Sequence, residues 1–197
     1  MSVKKKYVSI DVETNGPYPW RSSMLSFGAC IVGDKNKIFY RELKPITSEY
    51  EIEHFRIGAK SLAVLSDYDH ENFNPEEVLK ILDIKGDSPK LAIPKFVGWV
   101  LENTEGYRPV LLAAPIIFDG QFINYYIDKF HPRQNPFGHS GEDINSVFRG
   151  NVKDMTANIR ELDLRADLPR HNALEDAVQQ AREFYTTLVH MRQQGRI

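Results

Sequence analysis

The feature that most constrains the fold is a short apolar run near the start of the chain, followed by two carboxylates. The apolar residues 7–10 predict a strand that ends in Asp11 and Glu13, with one residue between them. Side chains two residues apart on a strand project from the same face, so these carboxylates would lie side by side. They repel unless a cation lies between them, and hard cations such as Mg²⁺ or Mn²⁺ prefer oxygen ligands. The alternative is a surface pair that only faces water.

The composition is that of an ordinary globular protein. With 197 residues, 42% of them hydrophobic, we expect a single domain, 1–197, with its own core. The net charge of −2 argues against a broad basic surface for nucleic acid. The single cysteine, Cys30, excludes an internal disulfide and suits a reducing compartment. No apolar run reaches the length of a membrane span, and the lysines at 4–6 lie too close to Asp11 for a signal peptide. We therefore expect a cytoplasmic protein with no membrane partner.

The order of the predicted elements indicates an α/β fold with a mixed β-sheet covered by helices. The first three strands would form an antiparallel meander, because Gly33 and Asp34 give a strong turn signal, and a later buried strand would add parallel pairing. Asn74, Asp143 and Asn172 are each placed to cap a helix. The predicted strands are 6–12, 25–32, 37–43 and 109–113, and the predicted helical segments are 51–65, 75–83, 90–103, 118–130, 144–148 and 173–192.

A third carboxylate follows the buried strand at 109–113. Pro115 would delay the next helix until about Phe118, which places Asp119 in its first turn. Ligand sites of open α/β sheets lie beyond the carboxyl ends of the strands, so Asp119 would face the same crevice as Asp11 and Glu13. The alternative is an acidic residue that only stabilises the positive end of the helix.

A histidine and a fourth carboxylate lie at the start of the last helix. With Asn172 as its cap, Asp176 falls in the first turn and His171 lies just outside the helix. A histidine can act as a base near neutral pH, so a loop histidine beside a fixed carboxylate suits proton transfer near a metal. Taken singly, each of these two residues is better explained as a solvated surface residue.

Taken together, these segments resemble the DEDDh family of 3′–5′ exonucleases, the DnaQ-like branch of the ribonuclease H-like fold. The resemblance is carried by Ile-Asp-Val-Glu-Thr-Asn-Gly at 10–16, by Phe118 and Asp119 with Phe122, and by His-Asn-Ala-Leu-Glu-Asp-Ala at 171–177. It covers nearly the whole chain, from residue 7 to about residue 188. It implies a ribonuclease H-like fold and a metal-dependent enzyme that releases nucleoside 5′-monophosphates from a 3′ end.

The resemblance also implies a role for each residue. Asp11 would bridge two divalent metal ions, Mg²⁺ or Mn²⁺, and Glu13 and Asp176 would each help to hold one of them. Asp119 would orient the other through water, and His171 would accept a proton from the attacking water. Two metals roughly 4 Å apart can stabilise both the attacking and the leaving oxygen of a phosphoryl transfer.

The substrate is less constrained than the metal site. From the motifs we expect substrate contacts at Thr14, Gly16 and Phe122. Trp20 in the loop 17–23 could stack on a base or simply pack on the domain. Many relatives carry a His-Asn pair before the second motif, but this chain has Ala-Ala-Pro-Ile-Ile at 113–117. The absence of a basic stripe favours a short single-stranded 3′ end, of DNA or RNA, over a long duplex.

Other interpretations remain open from the sequence. One is a non-catalytic module of the same fold that binds nucleic acid or docks a partner, although the presence of all five site residues favours an enzyme. A structural Ca²⁺ site is disfavoured, since its ligands usually lie in one compact loop. Arg165 and Arg170 could reach phosphates or simply be solvated. The sequence leaves open a homodimer and a polymerase or repair partner.

Overall fold

The computed structural model describes residues 4–132, 135–162 and 171–197. Five strands form one sheet: β1 (Lys5–Thr14), β2 (Met24–Ile31), β3 (Asp34–Glu42), β4 (Arg108–Ala113) and β5 (Gly141–Asp143). Their order in the sheet is β3-β2-β1-β4-β5, in which β1, β2 and β3 are antiparallel and β4 and β5 run parallel to β1. The predicted α/β class and mixed sheet are confirmed.

Six α-helices and two short 3-10 helices surround the sheet within the described part of the chain. The predicted caps are confirmed, because Asn74, Asp143 and Asn172 each accept hydrogen bonds from backbone N–H groups in the first turn that follows. The α-helices are α1 (Ile52–Ala59), α2 (Pro75–Lys85), α3 (Pro89–Asn103), α4 (Ile116–Phe130), α5 (Ile144–Val152) and α6 (Ala173–Gln193), and the 3-10 helices are Ala63–Leu65 and Ile159–Leu162.

The two faces of β1 have different chemistry. Val8, Ile10 and Val12 point into the main core, which α3 and α4 complete with aromatic side chains. The alternate residues on β1, among them Asp11 and Glu13, lie on the opposite face, which α6 crosses. The sheet therefore separates the main core from a second layer beneath α6, in which an apolar cluster around Phe184 lies beside the carboxylates of β1.

Several predicted boundaries were wrong. β1 extends to Thr14, two residues beyond the predicted end, because the antiparallel pairing with β2 continues to Met24, so Glu13 as well as Asp11 lies within the strand. α4 begins at Ile116, earlier than predicted, although Asp119 is still in its first turn. The predicted helical segment 51–65 is divided into α1 and a 3-10 helix, and α5 continues to Val152.

β5 was missed because its three residues hold strand conformation only by pairing with the end of β4. The positions of Arg165 and Arg170 lie outside the described residues. Within the three described ranges, no helix has the length and apolar character needed to cross a membrane.

Candidate active site

Three carboxylates meet where the start of α6 lies over β1. Asp11, Glu13 and Asp176 each offer an oxygen atom, and these oxygens lie within 4.8 Å of one another. The alternation of β1 brings the first two to one face, as expected from the sequence, and the third comes from the first turn of α6. Carboxylate oxygens so close together can share a hard divalent cation.

A glycine sets how closely α6 approaches the sheet. Gly28 of β2 pairs with Asp11, and a Cβ atom built on Gly28 would come 2.3 Å from the carbonyl oxygen of Ala173. Only glycine allows two backbones to come so close. Because Asp176 follows Ala173 by less than one turn of helix, this contact determines how near Asp176 lies to Asp11.

Asp119 reaches the site from the β4 side. Its side chain is buried, and its Oδ1 accepts a hydrogen bond from the backbone N–H of Val12 at 3.1 Å. The pairing between β1 and β4 ends at Ser9 and Leu112, so this carboxylate takes up a backbone donor beyond the end of the ladder. The bond ties the first turn of α4 to β1, next to Asp11.

Without a cation, the ionised forms of these carboxylates are disfavoured by burial and by mutual repulsion. Burial raises the pKa of Glu13 to about 8, with smaller contributions from the charges of Asp176 and Asp119. Burial likewise raises the pKa of Asp119 to about 7, against the hydrogen bond from Val12. The pKa of Asp11 lies well above its ordinary value, again from burial first and then from the neighbouring carboxylates. The set of four carboxylates therefore fits one or more divalent cations, which would neutralise charge that burial and repulsion disfavour.

His171 lies at the rim of this cluster, immediately before the cap of α6. Its backbone has a φ of 61°, in the left-handed region, and its N–H donates a hydrogen bond to Asp176 Oδ2 at 2.9 Å. A non-glycine residue in this conformation is uncommon and is often found at functional sites. The bond connects the backbone of His171 to a carboxylate of the cluster, while its side chain is exposed in the cleft.

The five predicted residues line one cleft of about 790 Å³. Its lining comes from the end of β1, the start of α6 and the N-terminus of α4, among other segments. His54 of α1 and Arg160 of the second 3-10 helix also line it, and each carries a side chain able to contact an anion.

Of the four residues predicted to contact substrate, only Thr14 lies in the lining of the cleft. Thr14 lines the cleft, and its hydroxyl donates to the carbonyl oxygen of Gly16. Gly16 is buried against Ser22 and does not line the cleft. Trp20 is 61% exposed and stacks on Tyr18, outside the cleft lining.

The expected contact of Phe122 requires a correction. Phe122 is 0% exposed in the core between α4 and the sheet, so it cannot touch substrate in this conformation. Phe122 belongs to the apolar stripe of α4 with Ile123 and Tyr126, and this stripe packs against the sheet, so the helical spacing was itself a signal for burial. Phe118, one turn earlier, is the aromatic residue of α4 that lines the cleft.

Sequence reasoning missed three polar residues on α6. Gln179, Gln180 and Glu183 are buried and line the cleft. Counted from Asp176 they fall at three, four and seven residues, which is one face of a helix. That spacing was the available signal, but the apolar residues of α6 suggested a different buried face.

Comparison with known proteins decides the family. No family model matches the chain. The chain is 35% identical over 148 residues to the 3′–5′ DNA exonuclease Cap18 of Escherichia coli, a match that covers 75% of this chain and 70% of that protein. This chain belongs to the DEDDh family of 3′–5′ exonucleases.

Solved structures share the fold of this exonuclease. The nuclease domain of 3′hExo, described as a DEDDh family member bound to rAMP, superposes with a TM-score of 0.60 at 14% identity, over 96% of this chain and 92% of that one. Pop2p of S. pombe, in a form with Mg²⁺ and Mn²⁺ bound, gives 0.61 at 14% identity, over 94% and 83% of the two chains. The ribonuclease H-like fold predicted for the exonuclease is thereby confirmed.

Proposed function

We propose that this exonuclease hydrolyses the terminal phosphodiester bond at the 3′ end of single-stranded nucleic acid and releases nucleoside 5′-monophosphates. The observation that carries the proposal is the convergence of Asp11, Glu13 and Asp176 within 4.8 Å, in one cleft with Asp119 and His171. The relative Cap18 is named a DNA exonuclease, so we propose single-stranded DNA as the first substrate to test, with RNA as the alternative.

In this proposal the four carboxylates hold two divalent cations, Mg²⁺ or Mn²⁺. Asp11 would bridge the two cations, Glu13 and Asp176 would help to hold one of them, and Asp119 would orient the other through water. When bound, such a pair of cations lowers the pKa of water and stabilises charge on the scissile phosphate. The raised pKa values of Glu13 and Asp119 support this arrangement, because a bound cation would stabilise the ionised forms that burial disfavours.

His171 is proposed as the general base. An imidazole nitrogen of His171 accepts the proton of the attacking water and later releases it to solvent, since the side chain is exposed at the cleft rim. The hydrogen bond from its N–H to Asp176 keeps the residue beside the cluster. A general base typically contributes a factor of roughly 10²–10⁴ to the rate.

Substrate contacts are proposed at two levels. Inside the cleft, Thr14 and Arg160 would contact the terminal nucleotide, and outside it Trp20 would stack on a base further from the end.

Replacing Trp20 with Ala should raise KM for a ten-nucleotide single strand several-fold. The matched control is Tyr107→Ala. Tyr107 is an exposed aromatic residue just before β4, at the end of that β-strand away from the cleft. Equal KM values for the two variants would exclude the stacking role.

The decisive experiment is an end-labelled degradation assay. With a 5′-labelled single-stranded DNA and Mn²⁺, the wild-type protein should give a ladder that shortens from the 3′ end, and a 3′-phosphate block should slow it. Asp11→Asn, which keeps the size of the side chain, should abolish the ladder while the protein stays folded by circular dichroism. Absence of cleavage by the wild-type protein on DNA and RNA alike, or full activity of Asp11→Asn, would refute the proposal.

Three further expectations remain proposals. We propose that residues 1–197 act as one exonuclease domain and that the protein works in the cytoplasm. Association as a homodimer or with a polymerase or repair protein would be tested by light scattering and by co-purification.

A further inference from the structure

Gln180 connects α6 directly to Asp11. It lies one helical turn after Asp176, and its Nε2 donates a hydrogen bond to Asp11 Oδ1 at 2.8 Å. Gln180 is 9% exposed, and this bond is partly buried at the wall of the cleft. A hydrogen bond from a buried amide to a carboxylate is stronger than one between neutral groups.

The oxygen atom of the same side-chain amide, Gln180 Oε1, gains little stabilisation from its surroundings. Gln180 Oε1 is buried and finds no hydrogen-bond donor among the residues that the structure describes. Burying a polar atom without a partner costs free energy, and an apolar side chain of similar size would avoid that cost. The amide is turned with its N–H towards Asp11, because the reverse orientation would face an oxygen against a carboxylate. A residue that stabilises the fold poorly but contacts the central carboxylate points to a role in function.

We propose that Gln180 is a positioning residue that fixes the orientation of Asp11 for metal binding. This inference rests on the proposed metal site. An ionised carboxylate offers about four lone-pair sites, and Gln180 occupies one of them on Oδ1. The remaining sites stay available to cations in the cleft, while the hydrogen bond restricts rotation of the carboxylate plane. Hydrogen-bond partners of metal ligands orient those ligands, and their loss costs roughly 10–100-fold in metal affinity or activity.

Two neighbouring glutamines provide a matched test. Gln179 is also buried on α6, but its Nε2 donates to Glu183 Oε1 at 2.9 Å and not to Asp11. Mn²⁺ affinity would be measured by calorimetry on the wild-type protein, Gln180→Met and Gln179→Met, all without nucleic acid. We expect Gln180→Met to bind Mn²⁺ roughly 10–100-fold more weakly, and Gln179→Met to stay within about threefold of the wild type.

Thermal unfolding separates positioning from packing. Without metal, the unfolding midpoint of Gln180→Met should change little, because the bond lost at Asp11 is offset by removing the oxygen without a partner. Nuclease assays should show a rate loss at low Mn²⁺ that saturating Mn²⁺ largely restores. A Gln180→Met protein that binds Mn²⁺ as tightly as the wild type, or an equal loss in Gln179→Met, would overturn the inference. A wild-type protein that binds no Mn²⁺ would instead refute the metal site itself.

Discussion

The affinity of the site for divalent cations should depend steeply on pH, because the cations compete with protons. Carboxylates bind metal in their ionised form, and burial raises the pKa of Glu13 to about 8 and that of Asp119 to about 7. At pH 6 a group of pKa about 8 is ionised about once in 100 molecules, and at pH 8 about once in two.

Glu13 alone therefore predicts an increase of about 50-fold in apparent metal affinity from pH 6 to pH 8, or about 2 kcal/mol. Asp119, with the lower pKa, would add up to about tenfold. Carboxylates with ordinary pKa values near 4 are fully ionised over this range and predict almost no change.

Calorimetric titration with Mg²⁺ at pH 6, 7 and 8, in buffers of different ionisation enthalpy, would give both the affinity and the number of protons released. Glu13→Gln is the control, since it should bind more weakly and lose most of the pH dependence. A wild-type affinity that changes less than about threefold between pH 6 and pH 8, with no proton release, would refute the reasoning.

The remaining predictions concern stability, packing and the base. Without metal, the free energy of unfolding should fall as pH rises from about 4.5 to about 8, because the folded-state pKa of Glu13 lies above its ordinary value, and saturating Mg²⁺ should remove this trend in urea titrations. Gly28→Ala should lower the free energy of unfolding by about 1–3 kcal/mol in the same titrations and reduce nuclease activity, because the new Cβ meets the backbone of Ala173. The control is Gly98→Ala on the exposed face of α3, which should be neutral or stabilising because a Cβ there has no atom within 4 Å. Equal stability of the two variants would contradict this prediction. His171→Ala should lower kcat by roughly 10²–10⁴ with Mn²⁺ affinity nearly unchanged, and an unaltered kcat would remove it from the mechanism.

The sequence predicted those parts of the fold that depend on local chemistry. Asn74, Asp143 and Asn172 cap helices as expected, because capping is decided within three or four residues. The convergence of Asp11, Glu13 and Asp176 was also predictable, since strand alternation and motif order both pointed to it.

Contacts between distant segments could not be predicted in this way. The need for glycine at Gly28 arises only when α6 packs on β2, more than 140 residues later in the chain. The contact between Gln180 and Asp11 depends on that packing. Periodicity defines the faces of a helix but not the surface that each face meets.

Anomalous diffraction from crystals grown with Mn²⁺ would test the proposed active site most directly. Two peaks are expected in the cleft, roughly 4 Å apart, with the carboxylate of Asp11 touching both and those of Glu13 and Asp176 touching one of them. Crystals of Asp11→Asn should lose at least one peak. No anomalous peak at these carboxylates under conditions in which the protein degrades DNA would contradict the account.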